Sequence, residues 1–199
     1  MSVPTHIAIL GAGPGGYVAA IRAAQLGARV TVVERQALGG VCLNWGCIPS
    51  KTLLSVIELG DKLKKAEDLG LVLAGPVRYD LARMVARKNK VVAGLVKGIG
   101  TLFKAWNIEI VEGWGALSDA RTITVARPEG MQQKVEADAV IIATGSSWPQ
   151  PAQFPIDGKR IITSKEALDL EVIPKRMVIL GGGVEGCECA TYFSGLGTV

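Results

Sequence analysis

The stretch HIAILGAGPGGY, residues 6 to 17, sets an apolar run directly before Gly11, Gly13 and Gly16 in G-x-G-x-x-G spacing. Few local patterns restrict a chain more. The apolar residues read as a strand, the glycines as a turn with little room for side chains, and YVAAIRAAQLGA as the helix that follows. RVTVVE then supplies a second strand, so residues 6 to 34 form a βαβ unit. In such a unit Gly11 permits the tight turn, Gly13 lets backbone approach a pyrophosphate, and Gly16 lets the helix pack on the strand. Pro14 and Gly15 belong to the same loop, and the helix N-terminus behind it faces the phosphates. Glu34 closes the second strand, where an acid accepts hydrogen bonds from a ribose 2′-OH and repels a 2′-phosphate. The expectation is a dinucleotide on this loop.

The same pattern returns in RMVILGGGVEGCECATYFSGLGTV, with Gly181, Gly183 and Gly186. This internal repeat is read as strand, turn and helix, halted where a second strand would begin, so the chain reads as cut short. Glu185 places a negative charge beside the expected pyrophosphate path, which opposes a dianion unless the carboxylate points away or is paired. Between the repeats, a helix is expected from about Pro49 to near Leu69. A second, capped by Asp80, carries Leu81, Val85, Val92, Leu95, Ile99 and Phe103 at roughly helical spacing, against the weakening effect of Gly94, Gly98 and Gly100. NIEIVEGW, RTITVA and KVEADAVIIATG read as strands, the last as a buried parallel one. Pro149, Pro151, Pro155 and Pro174 break the pattern between Ser146 and Lys175, where the domain boundary is expected.

Composition matters here for what it excludes. At 199 residues and 49% apolar, the chain buries a sizeable core and is no disordered tail. A net charge of +4, with no basic tail or aromatic-interleaved basic patch, argues against a nucleic-acid partner. The densest basic stretch, Arg83, Arg87, Lys88, Lys90, Lys97 and Lys104, falls on the expected helix and reads as a solvated face. No apolar run reaches bilayer length and no leader precedes HIAILGAG, so no membrane partner and a cytoplasmic location are expected.

Against that background GGVCLNWGCIPSK, residues 39 to 51, holds two of the four cysteines. In a reducing compartment a close pair points to catalysis or metal binding before a structural staple. Were Cys42 and Cys47 both in one regular helix, their Cα atoms would lie roughly 8 to 9 Å apart, beyond the ~7 Å reach of a disulfide. A bridge therefore needs a departure from helical geometry, which Asn44 and Gly46 tolerate and Pro49, suited to a first helical turn, allows to end. A helix starting near Cys47 would favour its thiolate, helped by Lys51 one turn on. Two reduced packing cysteines and a zinc site are the competing readings. Zinc lacks further ligands nearby, because Cys187 and Cys189 are distant and His6 is the single histidine; Cys187 and Cys189 read as helix packing residues. A redox disulfide beside a dinucleotide loop asks for a relay between sulfur attack and hydride transfer, and a flavin supplies one. FAD on the first loop and nicotinamide on the second follow.

GAGPGGY, ERQALGGVCLNWGCIPSK, IIATGS and ILGGGVEGCE, in this order and spacing, resemble the FAD-dependent pyridine nucleotide-disulfide oxidoreductases over essentially the whole chain. Leu43 and Ile48 resemble the branch that oxidises dihydrolipoyl groups, whereas mercuric and glutathione reductases more often place valine there. The resemblance implies an α/β fold: a Rossmann-like FAD-binding domain with a parallel central sheet and a small antiparallel element over residues 1–147, then the start of a Rossmann-like NAD-binding domain over 148–199. It implies that Gly11, Gly13, Gly16, Glu34 and Arg35 hold the adenosine and pyrophosphate half of FAD, with Gly40, Val41 and Cys42 continuing the contact. Lys51 would lie near the flavin ring, Gly115 and Ala116 near the adenine, and Thr144, Gly145 and Ser146 at the crossing to the next domain. Gly181, Gly183, Gly186 and Glu188 would serve the nicotinamide side. Cys42 would exchange with the substrate dithiol and Cys47 would donate to the flavin, so that electrons pass from dihydrolipoyl groups of a 2-oxoacid dehydrogenase or glycine cleavage complex to NAD⁺. A homodimer is implied for the full-length protein, which would carry a distal His–Glu pair as proton acceptor. The competing functions are another NAD(P)H-dependent disulfide reductase and a non-catalytic flavoprotein redox sensor.

Overall fold

HIAIL forms a strand because its apolar side chains are claimed from both sides, and it becomes one of the two interior strands of a parallel sheet. In the computed structural model, which describes residues 4–127 and 130–199, β1 (His6–Leu10) pairs in parallel with β2 (Arg29–Glu34) and with β7 (Ala139–Ile142). β2 pairs in parallel with β3 (Glu109–Glu112), giving the order β3-β2-β1-β7. Helix α1 (Pro14–Gln25) connects β1 to β2 and has proline at its start, where the missing N–H costs nothing. Gly113, at φ 147°, turns the chain out of β3 into β4 (Trp114–Leu117), the first strand of an antiparallel sheet with β5 (Thr122–Ala126) and β6 (Gln132–Glu136). Ala8, Leu10 and Val33 of one sheet pack with Ile123, Val125 and Val135 of the other in one apolar cluster. The expected α/β class, with a parallel sheet and a small antiparallel element, is what forms.

The described residues divide into two units, 1–44 with 93–147, and 45–92 with 148–199. The first contains both sheets. The second is helical: α3 (Cys47–Lys64), a 3₁₀ turn at Glu67–Leu69, the early part of α4 (Leu81–Ala105), α5 (Ser164–Ala167) and α6 (Val184–Gly195). Its core is Leu53, Ile57, Met84, Ala167, Leu168, Tyr192 and Phe193. Gly195 lets α6 lie on α3, since a Cβ there would fall 2.3 Å from Ile57 Cγ2.

Several expected elements change. NIEIVEGW and KVEADAVIIATG each split between the two sheets, because Gly113 and the Ala137–Asp138 step redirect the chain. β7 is an edge strand with Ile142 62% exposed, so its apolar run is not the buried strand expected. Helix α4 runs unbroken past Gly94, Gly98 and Gly100, with Asp80 Oδ1 accepting from Arg83 N at 3.0 Å as its cap, but Leu95 faces solvent. Lys88 is not part of a solvated face: it is 2% exposed and donates to the Leu168 carbonyl and the Asp169 carboxylate. α3 ends at Lys64 rather than near Leu69. Residues 176–180 form no ladder; Met177 N donates to the Val199 carbonyl and Val199 N to the Lys175 carbonyl, and two such bonds do not build a strand.

Candidate active site

In the first glycine loop, Gly11 and Gly16 take the steric roles their spacing assigns. Gly11 sits at φ 102°, where a Cβ would lie 2.2 Å from the Ala143 carbonyl oxygen; a Cβ on Gly16 would lie 1.8 Å from the Gly11 carbonyl oxygen. Gly13 differs. It caps α1 in extended conformation, and the nearest atom to a Cβ built there is the Gly40 Cα, 3.9 Å away. The loop is thus lined by glycine backbone on two sides, which is the bare cradle a pyrophosphate needs. α2 (Gly40–Trp45) opens against this cradle, with Gly39 N donating to the Ala12 carbonyl at 2.8 Å. Pro14 and Gly15 are exposed on the first turn of α1, and Val41 is half-buried in α2.

Glu34 makes more contacts than the expected ribose role requires. Its Oε2 accepts from Ala12 N at 2.7 Å, and its Oε1 accepts from Arg35 N and Gln36 N at 2.8 Å each. The bond from Ala12 ties the glycine loop to the end of β2 and the other two brace the turn that follows it, so three of about four carboxylate acceptor sites are used and one on Oε2 is left for a hydroxyl. A cleft of about 180 Å³ opens beside it, lined by residues 34 to 38 with Ile110 and Glu112. That is smaller than sites enclosing a whole ligand, so it suits one moiety such as an adenosine end. Arg35 lays its guanidinium 4.2 Å from the centre of the Trp114 ring, on the strand that also carries Gly115 and Ala116. Gly115 approaches the core: a Cβ there would fall 2.4 Å from Leu10 Cδ1. Thr144, Gly145 and Ser146 leave β7 as exposed chain. The residues of the first unit fit FAD's adenosine and pyrophosphate portion on these grounds.

Between the cysteines the helical run breaks where the spacing demands it. α2 ends at Trp45, Gly46 stands at φ −140°, ψ −109°, and α3 begins at Cys47. That α2 is itself helical was not expected. Cys42 is half-buried in α2, and Cys47 is exposed as the first residue of an 18-residue helix. One turn on, Lys51 pairs with Glu188 of α6, which also accepts from Ser50 Oγ at 2.9 Å. The Lys51 hydrogen bond, followed by that of Ser50 and the Lys51 charge, holds the Glu188 carboxyl below its ordinary range despite partial desolvation.

The second loop repeats the first at an offset of 170 residues. Gly181 has φ 111°, Gly183 caps α6 in the same extended conformation as Gly13, and a Cβ on Gly186 would lie 2.1 Å from the Gly181 carbonyl oxygen. α1 and α6 are each 12 residues long, and the Arg29 N to Thr5 carbonyl bond has its counterpart in Val199 N to Lys175. Two features escaped the sequence reading. Thr163 and Glu166 form a capping box on α5, spelled T-S-K-E, and its N-terminal residue Ser164 donates to Glu185 Oε2 at 3.0 Å. Among the described residues no cluster of His, Cys, Asp and Glu has the makings of a metal site, and no helix is long and apolar enough to cross a membrane.

Residues 5–199 match the model of the pyridine nucleotide-disulphide oxidoreductase family. The chain belongs to this family. Among curated members, it is 42% identical over 192 residues to dihydrolipoyl dehydrogenase of Chlorobaculum tepidum, covering 96% of this chain and 41% of that protein. It is 43% identical to that of Bacillus subtilis, covering 96% and 42%. The fold agrees with solved family structures. LpdA from Mycobacterium tuberculosis matches with a TM-score of 0.87 at 30% identity, over 98% of this chain and 43% of that one. The HOCl-induced flavoprotein disulfide reductase RclA of Escherichia coli, solved as a Cu(II) complex, matches at 0.82 and 28%, over 99% and 41%. The chain thus spans about two fifths of the length of these relatives.

Proposed function

We propose that the intact protein oxidises dihydrolipoyl dithiols and passes the electron pair to NAD⁺, using Cys42 and Cys47 as its redox pair. The observation that carries this reading is the helix break at Gly46, between two cysteines five residues apart, in a chain 42–43% identical to dihydrolipoyl dehydrogenases. Residues 1–147 then serve FAD and 148–199 begin the NAD-binding part.

The cysteine chemistry follows from thiol exchange. One substrate thiolate attacks Cys42 Sγ, the Cys42–Cys47 bond breaks, and Cys47 leaves as a thiolate. The second substrate thiolate attacks the first substrate sulfur, closes the cyclic disulfide and frees the Cys42 thiolate. The substrate has lost two electrons and two protons, and the cysteine pair has gained the electrons. Gly11, Gly13, Gly16, Glu34, Arg35, Gly40 and Val41 would hold FAD, with Thr144, Gly145 and Ser146 at its far side; bound there, FAD supplies the exchange between sulfur and hydride chemistry. Lys51, oriented by Glu188, places a positive charge one turn from Cys47. Gly181, Gly183 and Gly186 would seat the pyridine nucleotide.

The substrate class implies lipoyl-bearing domains of a 2-oxoacid dehydrogenase or glycine cleavage complex as partners, a homodimer, and a cytoplasmic setting. A second reading, reduction of a different disulfide with NAD(P)H, draws on the likeness to RclA. Assaying the intact protein for dihydrolipoamide-dependent NAD⁺ reduction beside a panel of disulfides with NADH or NADPH separates them. The account expects the first activity to dominate and Cys42→Ser to abolish it; turnover that survives Cys42→Ser contradicts it.

A further inference from the structure

Glu185 is the charge that the second loop carries and the first does not. At the offset of 170 residues its counterpart is Gly15, which has no side chain. The carboxylate sits on the second residue of α6, immediately behind the Gly183 cap where the pyrophosphate of a nucleotide would arrive. Left unrestrained it would repel that dianion.

We infer that Ser164 and Trp148 form a clamp that holds Glu185 off the phosphate path, making Ser164 a positioning residue for pyridine-nucleotide binding. The inference rests on the nucleotide reading of the second loop. Its direction is fixed by chemistry. An indole N–H only donates, so Trp148 Nε1, 3.3 Å from Ser164 Oγ, uses that oxygen as an acceptor. The Ser164 hydroxyl proton is then left to point at Glu185 Oε2, 3.0 Å away. The clamp stands on a rigid base. Ser164 opens α5 directly after the Thr163 cap, and Glu166 accepts from Thr163 N at 2.8 Å to close the box. The next residue, Lys165, lays its ammonium 5.5 Å from the ring centres of both Trp45 and Trp148, and those two rings meet edge to face at 6.4 Å. The indole that orients the serine is therefore itself held in place.

The test is a titration of the intact, flavin-loaded protein with NAD⁺ in a calorimeter, comparing the wild type with Ser164→Ala, Glu185→Gln and the double variant. Freeing the carboxylate is expected to weaken NAD⁺ about tenfold in Ser164→Ala, with the deficit shrinking as salt is raised. Glu185→Gln is expected to bind at least as tightly as the wild type, and the double variant to match Glu185→Gln, because without the charge there is nothing to restrain. The inference is overturned if Ser164→Ala binds like the wild type, if the double variant stays as weak as Ser164→Ala, or if Glu185→Gln alone weakens binding. A wild type that binds no NAD⁺ overturns the nucleotide reading of the loop first and the clamp with it. Unchanged visible spectra across the four proteins show that the fold and the flavin site are intact.

Discussion

Gly16 lies so close to Gly11 that a single added methyl would sit 1.8 Å from the Gly11 carbonyl oxygen. Both partners of that clash are backbone, so no rotamer relieves it. Gly16→Ala must push α1 off β1 and reshape the loop at the same time. We expect a loss of about 3 kcal/mol or more in unfolding free energy, together with loss of bound flavin. Urea unfolding and visible absorbance of the purified variant check the two halves separately.

The Glu34 carboxylate accepts three backbone N–H groups, from Ala12, Arg35 and Gln36. Glu34→Gln keeps the shape but replaces one acceptor oxygen by an amide donor that must face another donor. Hydrogen bonds to a charged group contribute about 1.5–3 kcal/mol each, so the substitution is expected to cost on the order of 2 kcal/mol and to loosen the glycine loop. A fall in the urea midpoint with an unchanged slope, and weaker flavin retention on dialysis, are the expected readings.

His6 is 8% exposed, and its protonation state is set by its neighbours. Arg29 Nη2 donates to Nδ1 at 2.6 Å, which leaves the proton on Nε2 to be given to Thr31 Oγ1 at 2.9 Å, and Thr31 donates on to Glu109 at 3.0 Å. Burial, and after it the Arg29 charge, hold the His6 pKa below its ordinary 6.5. The folded protein therefore resists a proton that the unfolded chain accepts. Its contribution is complete above pH 6.5 and is lost as pH falls from there through the depressed folded value. Stability of the wild type is expected to decline below pH 6.5 more steeply than that of His6→Asn, measured by denaturant midpoints across pH 5 to 8 at steps of about half a unit.

Lys88 and Asp169 form an ion pair of unequal burial, with side chains 3% and 54% exposed. Removing either partner should not cost the same. Lys88→Met leaves a carboxylate that water already reaches and puts an apolar chain in the buried space of the lysine stem, so a change within about 1 kcal/mol is expected. Asp169→Ala leaves a buried ammonium with the Leu168 carbonyl as its one remaining hydrogen-bond partner among the described residues, and on the order of 2 kcal/mol should be lost. Equal effects from the two variants would mean that Lys88 is hydrated in solution.

Much of this was legible because local rules and the fold agree. G-x-G-x-x-G fixes both loops by steric necessity, and Asp80 announces α4 as a cap. The T-S-K-E box at Thr163 is equally local, its spacing being that of a capping box. What local patterns did not carry were choices made by tertiary contact. Lys88 looks like any surface lysine until Asp169 and the Leu168 carbonyl, 80 residues on, take it inside. KVEADAVIIATG reads as one strand, yet its halves join different sheets because the partners of Gln132–Glu136 and Ala139–Ile142 differ. Ser164 and Glu185 meet only through the fold.

The central claim, that Cys42 and Cys47 exchange two electrons with a dithiol, has a direct chemical test. Residues 36–51 contain both sulfurs and end at the first basic residue after Arg35, so trypsin releases them together. The intact protein is treated anaerobically with excess dihydrolipoamide or buffer, alkylated under denaturing conditions, digested, and its 36–51 peptide weighed. The account predicts no alkyl groups on this peptide as isolated and two after dihydrolipoamide. Two groups in both samples, or none in either, would contradict it.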